Sequence, residues 1–144
     1  MKLVGFNFNK LSVEKTAEKT SSLNINTNIN ILEIKEVKAD FFESKQSLLN
    51  VNFSYIVNYS PDFAKVEIKG NLFFELEPKT TKEILKKWKD KEILEEIKEN
   101  LFNIILKKAT LKALFLEEEA NLPLHIPFPS LKKSSQENKE EANI

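Results

Sequence analysis

Two strand patterns of opposite parity face each other across one short turn in the second quarter of the chain, and no other feature restricts the possible folds as tightly. Leu49, Val51, Phe53, Tyr55, Val57 and Tyr59 are apolar at odd positions. Ala64, Val66, Ile68, Leu72, Phe74 and Leu76 are apolar at even positions, with Gly70 among them. Pairing Tyr59 with Ala64 sets Val57 on Val66, Tyr55 on Ile68, Phe53 on Gly70, Val51 on Leu72 and Leu49 on Phe74. In that register every apolar side chain shares one face, and a slip of one residue would turn a whole strand's set to water. Between the strands, Ser60-Pro61-Asp62-Phe63 reads as a type I turn with proline at its second position.

The flanking segments read as partners for this hairpin. A first strand is predicted over residues 3–13, where Phe6 and Phe8 differ in parity from Leu11 and Val13, so a bulge is expected near Asn9-Lys10. A long second strand over 23–37 switches from odd (Ile25, Ile29, Ile31) to even (Leu32, Ile34), which predicts another bulge. After Pro78, Thr80-Thr81-Lys82-Glu83 has the form of a capping box opening a helix. Asp90 is placed to cap a second helix reaching Glu119, whose acidic end opposes the helix dipole and is expected to fray. Pro123, Pro127 and Pro129 force an extended segment. Residues 132–144 have almost nothing to bury and are expected to be disordered. The predicted fold is therefore α+β: one domain over residues 1–131, with a four-stranded antiparallel sheet, two helices, the proline segment and a tail.

The second helix carries two apolar stripes between Leu101 and Leu116. Phe102, Ile105, Leu106, Ala109, Ala113 and Leu116 form a broad face, and Ile104, Leu111 and Phe115 a narrower one. Leu101 falls among Lys108 and Lys112, between them. A surface helix of a monomer needs one stripe. The second, with outward-facing Ile56 on the sheet, is expected to join subunits of a homo-oligomer. A helix broken near Thr110 would instead merge the stripes.

Composition removes several chemistries. The 22 basic and 22 acidic residues cancel, and every basic side chain is lysine, so the planar fork that reads phosphates and bases is missing and no nucleic-acid partner is expected. With no cysteine and one histidine, no metal is expected. Two glycines cannot make a phosphate cradle, so no nucleotide cofactor is expected. His125 has no nucleophile and orienting carboxylate in any sequence signature, and reads as an ordinary histidine on an extended segment. Enzymatic activity is not expected. Neither a leader-like apolar run nor a bilayer-spanning segment is present, so the expected location is cytoplasmic, without membrane insertion.

What the chain has in abundance is aromatic surface. In the hairpin register Ile56 and Phe73 point away from the core, and Phe41-Phe42 and Trp88 sit in charged surroundings. The order of elements, the opening Phe6-Asn7-Phe8-Asn9-Lys10-Leu11-Ser12-Val13-Glu14, the hairpin from Leu48 to Leu76, and the apolar helix leading into Asn121-Leu122-Pro123-Leu124-His125-Ile126-Pro127-Phe128-Pro129 together resemble the SecB family of export chaperones. That resemblance implies four antiparallel strands followed by helices and assembly into a dimer or tetramer. It also implies an ATP-independent holding activity toward unfolded or nascent polypeptides, including preproteins for export. The metal-binding element by which some members recognise the motor ATPase cannot be built without cysteine. Phe41, Phe42, Phe73 and Trp88 are the expected polypeptide-binding residues, and Ile56, Ile104, Leu111 and Phe115 the expected interface. Two other roles fit the same residues: an adaptor docking one folded partner, or a carrier of a small apolar ligand.

Overall fold

The computed structural model describes residues 2–16, 22–37 and 46–131. Four strands, β1 (Lys2–Lys15), β2 (Asn24–Val37), β3 (Ser47–Ser60) and β4 (Ala64–Leu76), precede helices α1 (Pro78–Trp88) and α2 (Glu95–Glu119). The strands form one antiparallel sheet in the order β1-β4-β3-β2, so the hairpin is its centre and β1 and β2 are its edges. The register is the one parity dictates: Tyr59 opposite Ala64, Val57 on Val66, Tyr55 on Ile68, Phe53 on Gly70, Val51 on Leu72 and Leu49 on Phe74. Both parity switches are bulges, at Asn9 in β1 and at Leu32 in β2, and β1 carries a further one at Val4.

The hairpin turn differs from expectation. The Ser60–Pro61 peptide is cis and Asp62 has φ 40°, neither of which a type I turn contains. The loop closes through the Phe63 amide donating to the Tyr59 carbonyl at 3.0 Å. Phe63 is thereby turned inward, with its ring 6.5 Å from that of Tyr59. The Thr16 amide donates to the Phe63 carbonyl at 2.8 Å and ties the end of β1 to this loop.

Helix α1 begins at Pro78, not at a capping box: proline needs no amide partner in the first turn, and Glu77 caps without a side-chain hydrogen bond. Thr81, the middle of the expected box, is instead buried in the helix, where its amide donates to the Glu77 carbonyl at 3.0 Å. Asp90 does not open the second helix, because the chain is still closing the first. Lys91 takes φ 58°, its amide donates to Trp88, and the Glu92 amide reaches back to Lys87. That is a Schellman ending with lysine in the left-handed position usually given to glycine. Helix α2 ends the same way. Asn121 has φ 54°, its amide donates to Glu118, and the Leu122 amide donates to Glu117. With those carbonyls satisfied and Leu122 buried, the acidic end is held rather than frayed.

The helices cover one face of the sheet. Helix α2 is unbroken at Thr110 and buries Leu101, Ile105, Ala109, Ala113 and Glu117. Leu101, placed among lysines by the angular reading, thus belongs to the core face, and Leu106 is 41% exposed. Ala109 and Ala113 lie on the buried face of α2, and Tyr55, Val57 and Ile68 on the covered face of the sheet are 0% exposed. The other sheet face carries polar rows. Asn9 donates to Asn71 at 3.2 Å and Asn71 to Asn50 at 3.0 Å, an amide chain running across three strands. Lys10 donates to Glu67 at 2.8 Å, which holds the Glu67 carboxyl below its ordinary pKa.

Candidate functional site

Two places on the covered face concentrate groups that can do chemistry or binding. The first is a cleft of about 610 Å³ beside edge strand β2. Trp88 ends α1, the left-handed turn at Lys91 leads the chain away, and Ile93 lies in the connection to α2. These elements face Ile29 and Ile31 of β2 and Phe102 of α2. Alternation along β2 places both isoleucines on the helix-bearing face, and both are half-buried. Trp88 is half-buried as well, with the Lys91 ammonium 4.6 Å from its ring centre. Lys87, Lys98, Glu92 and Glu95 make a charged rim. Because β2 is an edge, its outer backbone groups have no strand partner among the described residues. An apolar floor thus lies next to an open row of main-chain donors and acceptors.

The second place is a buried polar chain. Glu117 is 0% exposed, and its Oε2 lies 2.6 Å from Nδ1 of His125, whose side chain is 2% exposed. Neither atom has a further hydrogen-bond partner among the described residues. The other carboxylate oxygen accepts the His125 amide at 2.9 Å. On the far side of the imidazole, Nε2 is 2.6 Å from the Tyr55 hydroxyl, which is itself 2.9 Å from the Thr110 hydroxyl. An imidazole carrying its proton on Nδ1 satisfies the whole chain: Nδ1–H faces the carboxylate, Tyr55 donates to Nε2, and Thr110 donates to Tyr55. Nearby, the Tyr59 hydroxyl donates to the Pro123 carbonyl.

Carboxylate, imidazole and hydroxyl in line have the form of a catalytic triad, but their setting differs from one. Burial raises the Tyr55 pKa, the Thr110 hydrogen bond opposes this, and the Glu117 charge adds to it. The phenol is held neutral, whereas an activated nucleophile is pushed toward its anion. Tyr59 is raised further, by burial first and then by Glu117. A consequence is measurable. Phenols in the unfolded chain ionise near pH 10, while these two keep their protons to higher pH. Their contribution is intact below pH 10, and stability should fall above it by at most about 1.4 kcal/mol per pH unit for each phenol. Urea midpoints at pH 9 and pH 11 check this, and the Tyr55→Phe/Tyr59→Phe variant should show a shallower dependence.

The predicted site residues are dispersed. Phe41 and Phe42 lie outside the described residues, as do residues 132–144 of the expected tail. Phe73 sits on the polar sheet face, where its ring covers Gly5, so it shares no groove with Trp88 on the opposite face. Of the interface set, Leu111 and Phe115 stand out together on α2, 65% and 61% exposed. Ile104 is half-buried, beside Leu3 and Phe74. Ile56 is on the opposite sheet face, between Asn28 and Glu67. Sequence reasoning missed Ile29, Ile31, Ile93 and Phe102 as companions of Trp88, and missed the engagement of His125. Among the described residues no cluster of three or more side chains could hold a metal ion, and no helix is long and apolar enough to cross a membrane.

The sequence matches no family model and no curated protein. Among solved structures it is similar to a SecB-like chaperone of Mycobacterium tuberculosis, solved in complex with a ChAD peptide from the HigA1 antitoxin. That match covers 92% of this chain and 91% of the other, at 8% identity and a TM-score of 0.47.

Proposed function

We propose that the chain is an ATP-independent holding chaperone that binds extended segments of unfolded polypeptides along the β2 edge, with their side chains in the Trp88 cleft. The observation that carries this reading is the juxtaposition of a strand edge that has no strand partner among the described residues with an apolar floor of Ile29, Ile31, Ile93 and Phe102 around a half-buried tryptophan. An extended chain offers what each part lacks: main-chain hydrogen bonds to the edge in any sequence, and an apolar side chain at every second residue for the cleft. Each such side chain, fully buried, contributes about 1.5–3 kcal/mol. Folded proteins present few such segments, which would make the binding selective for unfolded clients. Trp88 is the only tryptophan, so a tryptophan-free client can be followed by its fluorescence.

Binding to an unfolded client, with the native form of the same client as control, tests this reading. Trp88→Ala is expected to weaken it about thirtyfold, corresponding to about 2 kcal/mol for an aromatic anchor. Equal affinity for native and unfolded forms, or a folded Trp88→Ala variant that binds as wild type does, would remove the cleft from the function. For self-association, Leu111 and Phe115 are the proposed contact. Leu111→Lys should reduce the native mass seen by light scattering while leaving the circular dichroism unchanged, and an unaltered mass would argue against that contact.

A further inference from the structure

Residues 121–131 leave the end of α2 and pass over the tyrosines of β3, and this strap is held unlike the rest of the chain. Past Leu122 its apolar side chains turn progressively outward: Leu124 is half-buried, Ile126 40% exposed, Phe128 69% and Leu131 82%. Beyond the buried Leu122, its anchors are polar. Two of them use only the strap's main chain, the Pro123 carbonyl accepting from Tyr59 and the His125 amide donating to Glu117. A peptide of almost any sequence could supply both. The one side-chain requirement is a group that meets the buried Glu117 carboxylate, which His125 fulfils at 2.6 Å.

We propose that the surface beneath the strap, made of Tyr55, Tyr59 and Glu117, is a second peptide-binding site that the chain fills with its own residues 123–125, and that an extended peptide carrying a basic side chain competes for it. A lysine or arginine would supply a cationic donor to the carboxylate. An aliphatic residue at the same place would keep the main-chain bond to Oε1 but leave Oε2 of Glu117 buried without a partner, so the site disfavours it. The tethered strap acts at a millimolar-scale effective concentration, so a competing peptide must match that or the strap must be weakened. The assignment does not depend on the Trp88 cleft, which uses other residues.

His125 is the only histidine, so its imidazole proton resonance reports strap occupancy in the full-length protein. Millimolar amounts of the heptapeptide of residues 122–128 with His125→Lys are expected to move that resonance to the position of an imidazole in water. The same heptapeptide with His125→Leu is expected to leave it in place. In full-length His125→Ala protein, a fluorescent heptapeptide of native sequence should bind at least about tenfold more tightly than to wild type, because its competitor is weakened. A resonance unmoved by the lysine peptide, one moved equally by the leucine peptide, or a folded His125→Ala variant that binds no more tightly than wild type would overturn the assignment. Repeating the displacement in Trp88→Ala protein separates the two sites: displacement should persist there whether or not client binding is lost.

Discussion

Replacing His125 with alanine is expected to lower the unfolding free energy by about 3–5 kcal/mol, the cost of stripping a buried charge of its partner. Glu117 is 0% exposed, and the imidazole and amide of His125 face its carboxylate, with the Tyr59 hydroxyl also beside it. Alanine keeps the amide but leaves Oε2 against a void, and it also takes the acceptor from the Tyr55 hydroxyl. The double variant Glu117→Leu/His125→Leu removes both partners at similar volume and should recover most of the loss, because the desolvated charge goes with them. Urea unfolding of the three proteins measures the difference. A loss under about 1 kcal/mol for His125→Ala would mean that the carboxylate reaches water in the folded chain.

Gly70→Ala is the second large effect, expected at about 3 kcal/mol, the upper end for overpacking. A methyl group there would stand 2.3 Å from the Asn7 carbonyl oxygen and 2.9 Å from the Phe53 ring. The first obstacle is backbone in the paired strand β1, so relief requires β1 to move away from β4. Gly5→Ala provides the contrast: its methyl would come within 3.2 Å of the Phe73 ring, a half-buried side chain that can shift. It should cost less than about 1 kcal/mol. Equal losses in the two variants would contradict this packing account.

The sheet was legible because its information is local. Parity along 47–76 fixes a register once the turn is located, and a change of parity within a strand has no other outlet than a bulge, as Asn9 and Leu32 show. The helix starts were misread because Pro78 at the first helical position made a side-chain cap unnecessary, and because Lys91 ends α1 without the glycine that usually signals such an ending. Leu101 was misplaced because a strictly angular reading puts it beside lysines, whereas the stripe α2 buries steps every four residues and drifts around the helix. The polar chain could not be seen in the sequence. Its members are 8, 55 and 70 residues apart, and nothing in the neighbours of His125 says that a tyrosine of the hairpin will meet it. The Trp88 cleft is likewise assembled from β2, α1, the connection and α2, which converge only after folding.

The placing of the hairpin at the centre of the sheet has a consequence for synthesis. β1 is the first strand to leave the ribosome, yet its partner is β4, with Lys2 pairing Glu75. β2 and β3 are made before β4 and can pair as they emerge, whereas β1 must wait with Phe6 and Phe8 unsheltered until the last strand is out. During that interval the nascent chain carries the kind of extended, aromatic-bearing segment that its finished form is proposed to hold for others.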